Sequence, residues 1–132
     1  MYAFDLKSAY HQIPMFKGHW RYPWLSIVVK GVKKFFEFTC LPFGLNNAAR
    51  ALTKLLRFPL QRWREWGACA FIHLNDGIGA TEGEKKAQRL ADMVKNDLQE
   101  FGLLTSDEKL TWKITQEIEW TGWRINTKEF KI

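Results

Sequence analysis

Between Asn46 and Gly102 the spacing of apolar residues changes period twice, and few folds accommodate that alternation. Asn46 or Asn47 can cap a helix, apolar side chains follow at 48, 51, 52, 55 and 56, and Leu60, Trp63 and Trp66 carry the stripe past Pro59. Pro59 predicts a kink or a split in that helix, because proline removes a backbone donor and crowds the preceding turn. Residues 68–74, Ala-Cys-Ala-Phe-Ile-His-Leu, are an apolar run of strand length, and Asn75-Asp76-Gly77 supplies a tight turn into residues 78–80. Helical spacing returns over residues 82–101, with apolar positions 87, 90, 91, 94, 98 and 101 and Gly102 placed as a C-terminal cap. A helix, a hairpin and a second helix in that order need a sheet on which both apolar stripes can pack.

The flanking segments supply more strands. Residues 1–6, Met-Tyr-Ala-Phe-Asp-Leu, read as a strand starting at the first residue, which leads us to expect further chain upstream. Residues 25–30 and 33–39 form a hairpin pattern around Lys30-Gly31, and residues 40–45 are a loop with two breakers. Leu103–Thr105, Leu110–Lys113, Glu117–Asn126 and Phe130–Ile132 read as short strands between polar turns. The order predicts one α+β domain over residues 1–132: a split βαβ, ferredoxin-like sandwich with the helices on one face of an antiparallel sheet.

Charge is distributed unevenly. Residues 1–66 hold eleven Lys and Arg against three acids, and residues 67–132 hold nine against eleven, so one half carries +8 and the other −2. Basic residues interleave with aromatics at Lys17, Trp20, Arg21 and Trp24 and again at Lys33, Lys34, Phe35 and Phe36. That pattern suits a phosphate backbone with stackable bases, and equally a solvated basic face. Trp20, Tyr22 and Trp24 crowd one segment, as expected of apolar surface meant for another module. No run reaches the ~18 apolar residues of a membrane span and no secretory signal opens the chain, so an intracellular protein with no membrane partner is expected. Cys40 and Cys69 each sit in an apolar run without metal-ligand spacing, which predicts buried, reduced thiols.

Asp5 ends the first strand and Asp76 occupies the tip of a hairpin 71 residues later. In a split βαβ sheet those strands can be neighbours, and two carboxylates on a basic, aromatic domain suggest magnesium-dependent phosphoryl transfer. Each could instead be an ordinary turn or cap residue. The surrounding residues carry a resemblance. Phe4-Asp5-Leu6-Lys7-Ser8-Ala9-Tyr10-His11-Gln12-Ile13-Pro14 resembles the first palm motif of reverse transcriptases, and Leu41-Pro42-Phe43-Gly44-Leu45-Asn46-Asn47-Ala48-Ala49 the second. Phe71 to Gly77 resembles the third, Phe101-Gly102-Leu103 through Lys109 the fourth, and Trp120-Thr121-Gly122-Trp123 the fifth, the primer grip. Five motifs in order span nearly the whole chain, with wording closest to long-terminal-repeat and tyrosine-recombinase retroelements.

The resemblance implies a polymerase palm that extends a primer on an RNA or DNA template from deoxynucleoside triphosphates (dNTPs), with two Mg2+ ions and with fingers and thumb modules that these residues lack. Asp5, Asp76 and the Leu6 carbonyl would hold metal. Tyr10 would gate against a ribose 2′-hydroxyl, Phe43 and Gly44 would pack near the nascent pair, and Lys109 would protonate the leaving pyrophosphate. Trp120, Gly122 and Trp123 would grip the primer; lying three apart on one strand, the two tryptophans are expected on opposite faces. His11 and His19 are read as surface or core residues.

The third motif departs from the family. Its Tyr-x-Asp-Asp is here His73-Leu74-Asn75-Asp76, so the family's first carboxylate of the pair is an uncharged amide at Asn75. Ala49 replaces a usual proline and Thr121 a usual aliphatic residue. Two readings follow: a palm active at best within a longer parent, or a catalytically dead remnant that at most binds nucleic acid.

Overall fold

The computed structural model describes residues 1–106, 111–129 and 131. In chain order the elements are β1 (Tyr2–Asp5), β2 (Trp24–Val29), β3 (Val32–Glu37), α1 (Ala48–Glu65), β4 (Cys69–His73), β5 (Asp76–Ala80), α2 (Glu84–Glu100), β6 (Glu117–Trp120) and β7 (Trp123–Asn126). Short 3-10 turns occupy Ala9–Gln12 and Lys17–His19. Helices and antiparallel sheets together make the fold α+β.

The principal sheet has the order β1-β5-β4. Residues alternate between its faces, so Tyr2 and Phe4 of β1 and Ala70 of β4 point to one side. There they join Leu6 and the buried stripes of both helices, Leu52, Leu56 and Trp63 from α1 and Leu90, Ala91, Val94 and Leu98 from α2. Phe4 meets Trp63 edge-on at 5.7 Å and stacks on Trp112 at 5.5 Å. On the other face Met1, Ala3 and Ile78 pack against Ile118 of β6, with Trp120 and Ile125 at the margin. The register sets Tyr2 opposite Gly79 and Phe4 opposite Gly77. A Cβ at either glycine would collide with the facing aromatic ring, so glycine is what lets the rings lie across β5.

Both helices end alike. The Leu103 amide donates to the Leu98 carbonyl and that of Gly102 to Gln99; the Ala68 amide donates to Trp63 and that of Gly67 to Arg64. These paired bonds satisfy carbonyls left over at a helix end. The helices are tied to each other through the buried Asp97, which pairs with Arg62 at 2.9 Å and accepts from Trp63 Nε1 at 2.6 Å. Pro59 does not split α1: the helix runs through it, with Pro59 on the buried face.

Other expectations need correction. Cys40 is only half-buried and Cys69 is exposed, because Cys69 lies on the face of β4 opposite Ala70. Glu117–Asn126 is not one strand but a hairpin turning at Thr121-Gly122, whose φ values are both positive. Leu103–Thr105 and the described part of Leu110–Lys113 form single bridges, Thr105 with Leu6 and Thr111 with Ala3, not strands. Of Phe130–Ile132 only Lys131 is described, bridged to Asn126. The β2–β3 hairpin turns at Lys30-Gly31 as expected and is exposed along nearly its whole length. Tyr22 is exposed beside it and Trp24 within it, while Trp20 is half-buried and donates through Nε1 to the Met15 carbonyl at 3.0 Å.

Two predictions follow from the β1–β5 packing. The Tyr2 hydroxyl is buried with no hydrogen-bond partner among the described residues, and burial pushes its pKa from 10 up to about 12. The unfolded chain therefore ionises first, so this contribution to stability is complete below pH 10 and is lost as pH rises through 12. Tyr2→Phe should stabilise the fold by about 1 kcal/mol at pH 7 and flatten the alkaline loss in urea unfolding. Gly79→Ala should destabilise by about 1–3 kcal/mol in the same measurement, since neither backbone nor ring has room to yield.

Candidate active site

Continuing the register one step beyond the rings sets Asp5 directly opposite Asp76, at the last residue of β1 and the first of β5. Both belong to the sheet face away from the helices, and Asp5 is buried. The third member comes from the turn between β4 and β5, where His73 pairs with Asp76 and only Leu74 and Asn75 intervene. Leu74 has φ 55°, the first central position of a two-residue hairpin turn that favours glycine. A leucine there stores backbone strain at the tip that carries Asn75. The Asn75 carbonyl accepts from the Leu6 amide at 2.9 Å, and its side-chain Nδ2 donates to Asp5 Oδ1. The Ser106 amide donates to the Asp5 carbonyl at 2.8 Å and the Lys7 amide to Leu104 at 2.9 Å, so the end of β1 is held from both sides.

The Leu6 side chain is buried in the core, which leaves its backbone as the part that can serve the site. Half-buried Tyr10 meets Phe43 edge-on at 5.2 Å, and His11 meets the same ring at 5.0 Å. Phe43 is two-thirds exposed, and at Gly44 an added Cβ would meet nothing within 4 Å, so the space above this loop is open. Lys109 lies outside the described residues. Trp120 and Trp123 are not on opposite faces of one strand: they are paired directly across the β6–β7 turn, Trp120 half-buried and Trp123 exposed. Their hairpin covers Met1, Ala3 and Ile78, on the same sheet face as Asp5 and Asp76.

Two residues join the site that the sequence did not point to. His11 is one, through Phe43. Gln12 is the other: its Nε2 donates to the carbonyls of Lys7 and Leu104, the latter at 3.0 Å, and its Oε1 accepts from the Leu104 amide at 2.6 Å. It clamps the loop bearing Tyr10 to a segment 92 residues away, a partner that no local pattern announces.

The carboxylates of Asp5 and Asp76 are brought together with the Asn75 amide beside them, and carboxylate oxygens are hard donors of the kind magnesium takes. Asn75, however, presents an N–H to Asp5, and among the described residues no group of three or more His, Cys, Asp or Glu could hold a metal. Two carboxylates face each other here, and Asn75 adds no third anion to the tip.

A sequence profile for the family described as Reverse transcriptase (RNA-dependent DNA polymerase) matches residues 1–125. The chain belongs to the reverse transcriptase family. Among curated proteins it resembles the Retrovirus-related Pol polyprotein from transposon gypsy of Drosophila melanogaster, 33% identical over 126 residues, which cover 92% of this chain and 11% of that protein. It therefore spans about a ninth of that relative's length. In this reverse transcriptase chain the carboxylate pair and the altered turn meet at one end of β1 and β5.

Asn75→Asp would remove the donor to Asp5 and crowd a third carboxylate onto the pair. Without metal the variant should melt lower than the parent, and Mg2+ should bind it at least ~10-fold more tightly, because the added charge acts at contact distance. Calorimetric titration with Mg2+, alongside melting in a chelator, reads both; equal affinities would show that position 75 does not reach the cation.

Proposed function

We propose that this chain is the palm portion of a retroelement reverse transcriptase, the part that joins dNTPs to a primer on an RNA or DNA template. The observation carrying the reading is the opposition of Asp5 and Asp76 in adjacent strands. The topology supports it: α1 leads from β1 to β4, α2 follows β5, and residues 111–115 bond to the free edge of β1 through Ala3 and Met1. We read this order as a split βαβ palm. The gypsy Pol relative supports a retroelement origin.

In this reading Asp5, Asp76 and the Leu6 carbonyl would hold Mg2+, which would supply charge stabilisation at the triphosphate and a more acidic primer 3′-hydroxyl. The chain's own residues orient the reactants. Tyr10, braced by Phe43 and held by the Gln12 clamp, excludes a 2′-hydroxyl, and the open space over Phe43 and Gly44 receives the nascent pair. Lys109 gives a proton to pyrophosphate. Trp120, Gly122 and Trp123 steady the primer strand on the same sheet face.

One observation favours a second reading, a catalytically dead remnant that keeps only nucleic-acid binding. Asn75 both lacks the charge of the family's residue and hydrogen-bonds to Asp5, occupying an oxygen that a cation needs. Primer extension on an RNA template with Mg2+ should be undetectable for the 132-residue chain, because Asn75 brings no charge to the cation and ties up an oxygen of Asp5. With fingers and thumb grafted from a relative, the Asn75 form should run at least ~100-fold slower than the Asp form, a lost charge-stabilising contact costing about 2.7 kcal/mol or more in the transition state. Asp5-dependent extension by the unmodified chain would overturn the remnant reading.

A further inference from the structure

The outer face of α1 is built unlike that of α2. Arg50, Lys54, Arg57, Gln61 and Arg64 recur at steps of four and three, all exposed and opposite the buried Leu52, Leu56, Pro59 and Trp63. At 1.5 Å per residue this row extends about 21 Å from the loop bearing Phe43. It contains no acid. The exposed positions of α2 instead mix Lys85, Lys86, Arg89 and Lys95 with Asp92 and Glu100, as an ordinary solvated helix does. Among the described residues Arg50, Lys54 and Arg57 make no ion pair, so three cations stand side by side uncompensated. Arg64 is anchored to the Ala70 carbonyl at 3.1 Å and lies over the Phe71 ring.

A groove of about 210 Å³ runs beside this row, between α1 and the open edge of β4. Leu56, Leu60, Ile72 and Leu74 floor it and Arg57 and Arg64 stand on its rim. Leu74 is the turn residue next to Asn75, so the groove opens at the carboxylate tip. Aliphatic floor and guanidinium rim match the two halves of a nucleotide, an apolar base face and a phosphate. An acidic protein surface would engage the rim and leave the floor without purpose. A single row of cations addresses one strand, not the two backbones of a duplex.

We propose that the outer face of α1 is an accessory nucleic-acid surface, on which one strand lays its phosphates along Arg50, Lys54 and Arg57 and sets a base in the adjoining groove. The inference rests on the reverse transcriptase reading only for the identity of the polymer.

Fluorescence anisotropy with a labelled single-stranded RNA across a salt series tests it on the full chain. The variant R50Q/K54Q/R57Q keeps good helix formers at exposed positions. K85Q/K86Q/R89Q on α2 makes the same change in net charge and serves as its control. Losing three phosphate contacts should flatten the slope of log affinity against log salt by about 2 and weaken low-salt binding by ~10-fold or more, while the α2 variant binds like the parent. Equal losses in both variants would reduce the effect to net charge and overturn the proposal. So would an unchanged α1 variant, or competition by polyglutamate as effective as competition by unlabelled RNA at equal charge. If the parent chain binds no RNA at any salt, the nucleic-acid reading of the whole chain fails with it, an outcome distinct from loss of the ridge alone.

Discussion

The candidate site depends on two aromatic rings lying across two glycines. Tyr2 and Phe4 can enter the helix-side core only because Gly79 and Gly77 leave room opposite them, and that fit locks β1 against β5 in one register. A slip of one residue would turn every β1 side chain to the other face. Met1, Ala3 and Asp5 would then enter the apolar core, with Asp5 charged and buried among Leu52, Trp63 and Val94. The same constraint thus forms the core and delivers Asp5 to Asp76, which makes Gly77 and Gly79 as consequential for chemistry as the carboxylates.

The helices support this register from behind. Trp63 touches Phe4 on one side and donates to Asp97 on the other, and Asp97 draws Arg62 into the same contact. A buried charge with two partners is costly to disrupt, because removing one partner strands the other. Packing that fixes Phe4 is therefore continuous with packing that joins α1 to α2. In contrast, the β2–β3 hairpin has both faces open and shares little of this core, as a lone two-stranded ribbon whose stability must come from elsewhere.

Much of this was legible in the residues. The change of apolar period located both helices, Gly102 marked the end of one and Lys30-Gly31 marked one turn, whereas Asn75-Asp76-Gly77 placed the other turn too late, since Leu74 and Asn75 make it and Asp76 and Gly77 already belong to β5. The pairing of Asp5 with Asp76 could be expected from element order, though the role of Gly77 and Gly79 could not, since it depends on which residue faces which. Of the kink or split expected at Pro59, the split is absent, since α1 continues through it. Cys69 misled because an apolar run on an edge strand still exposes alternate side chains. Glu117–Asn126 read as one strand because Thr121-Gly122 is a weaker turn signal than Asn-Gly, and recognising that turn would have paired the two tryptophans. His11 and Gln12 escaped because their partners, Phe43 and Leu104, are distant in sequence.

The claim on which the rest turns is the β1–β5 register, and nuclear magnetic resonance of the isotopically labelled chain reads it most directly. Cross-strand nuclear Overhauser contacts should link Ala3 with Ile78 and Asp5 with Asp76, with the Tyr2 and Phe4 ring protons against the α-protons of Gly79 and Gly77. Contacts of Asp5 with Gly77 and of Ala3 with Gly79, or ring protons of Phe4 against Ile78, would show a shifted register and contradict the account.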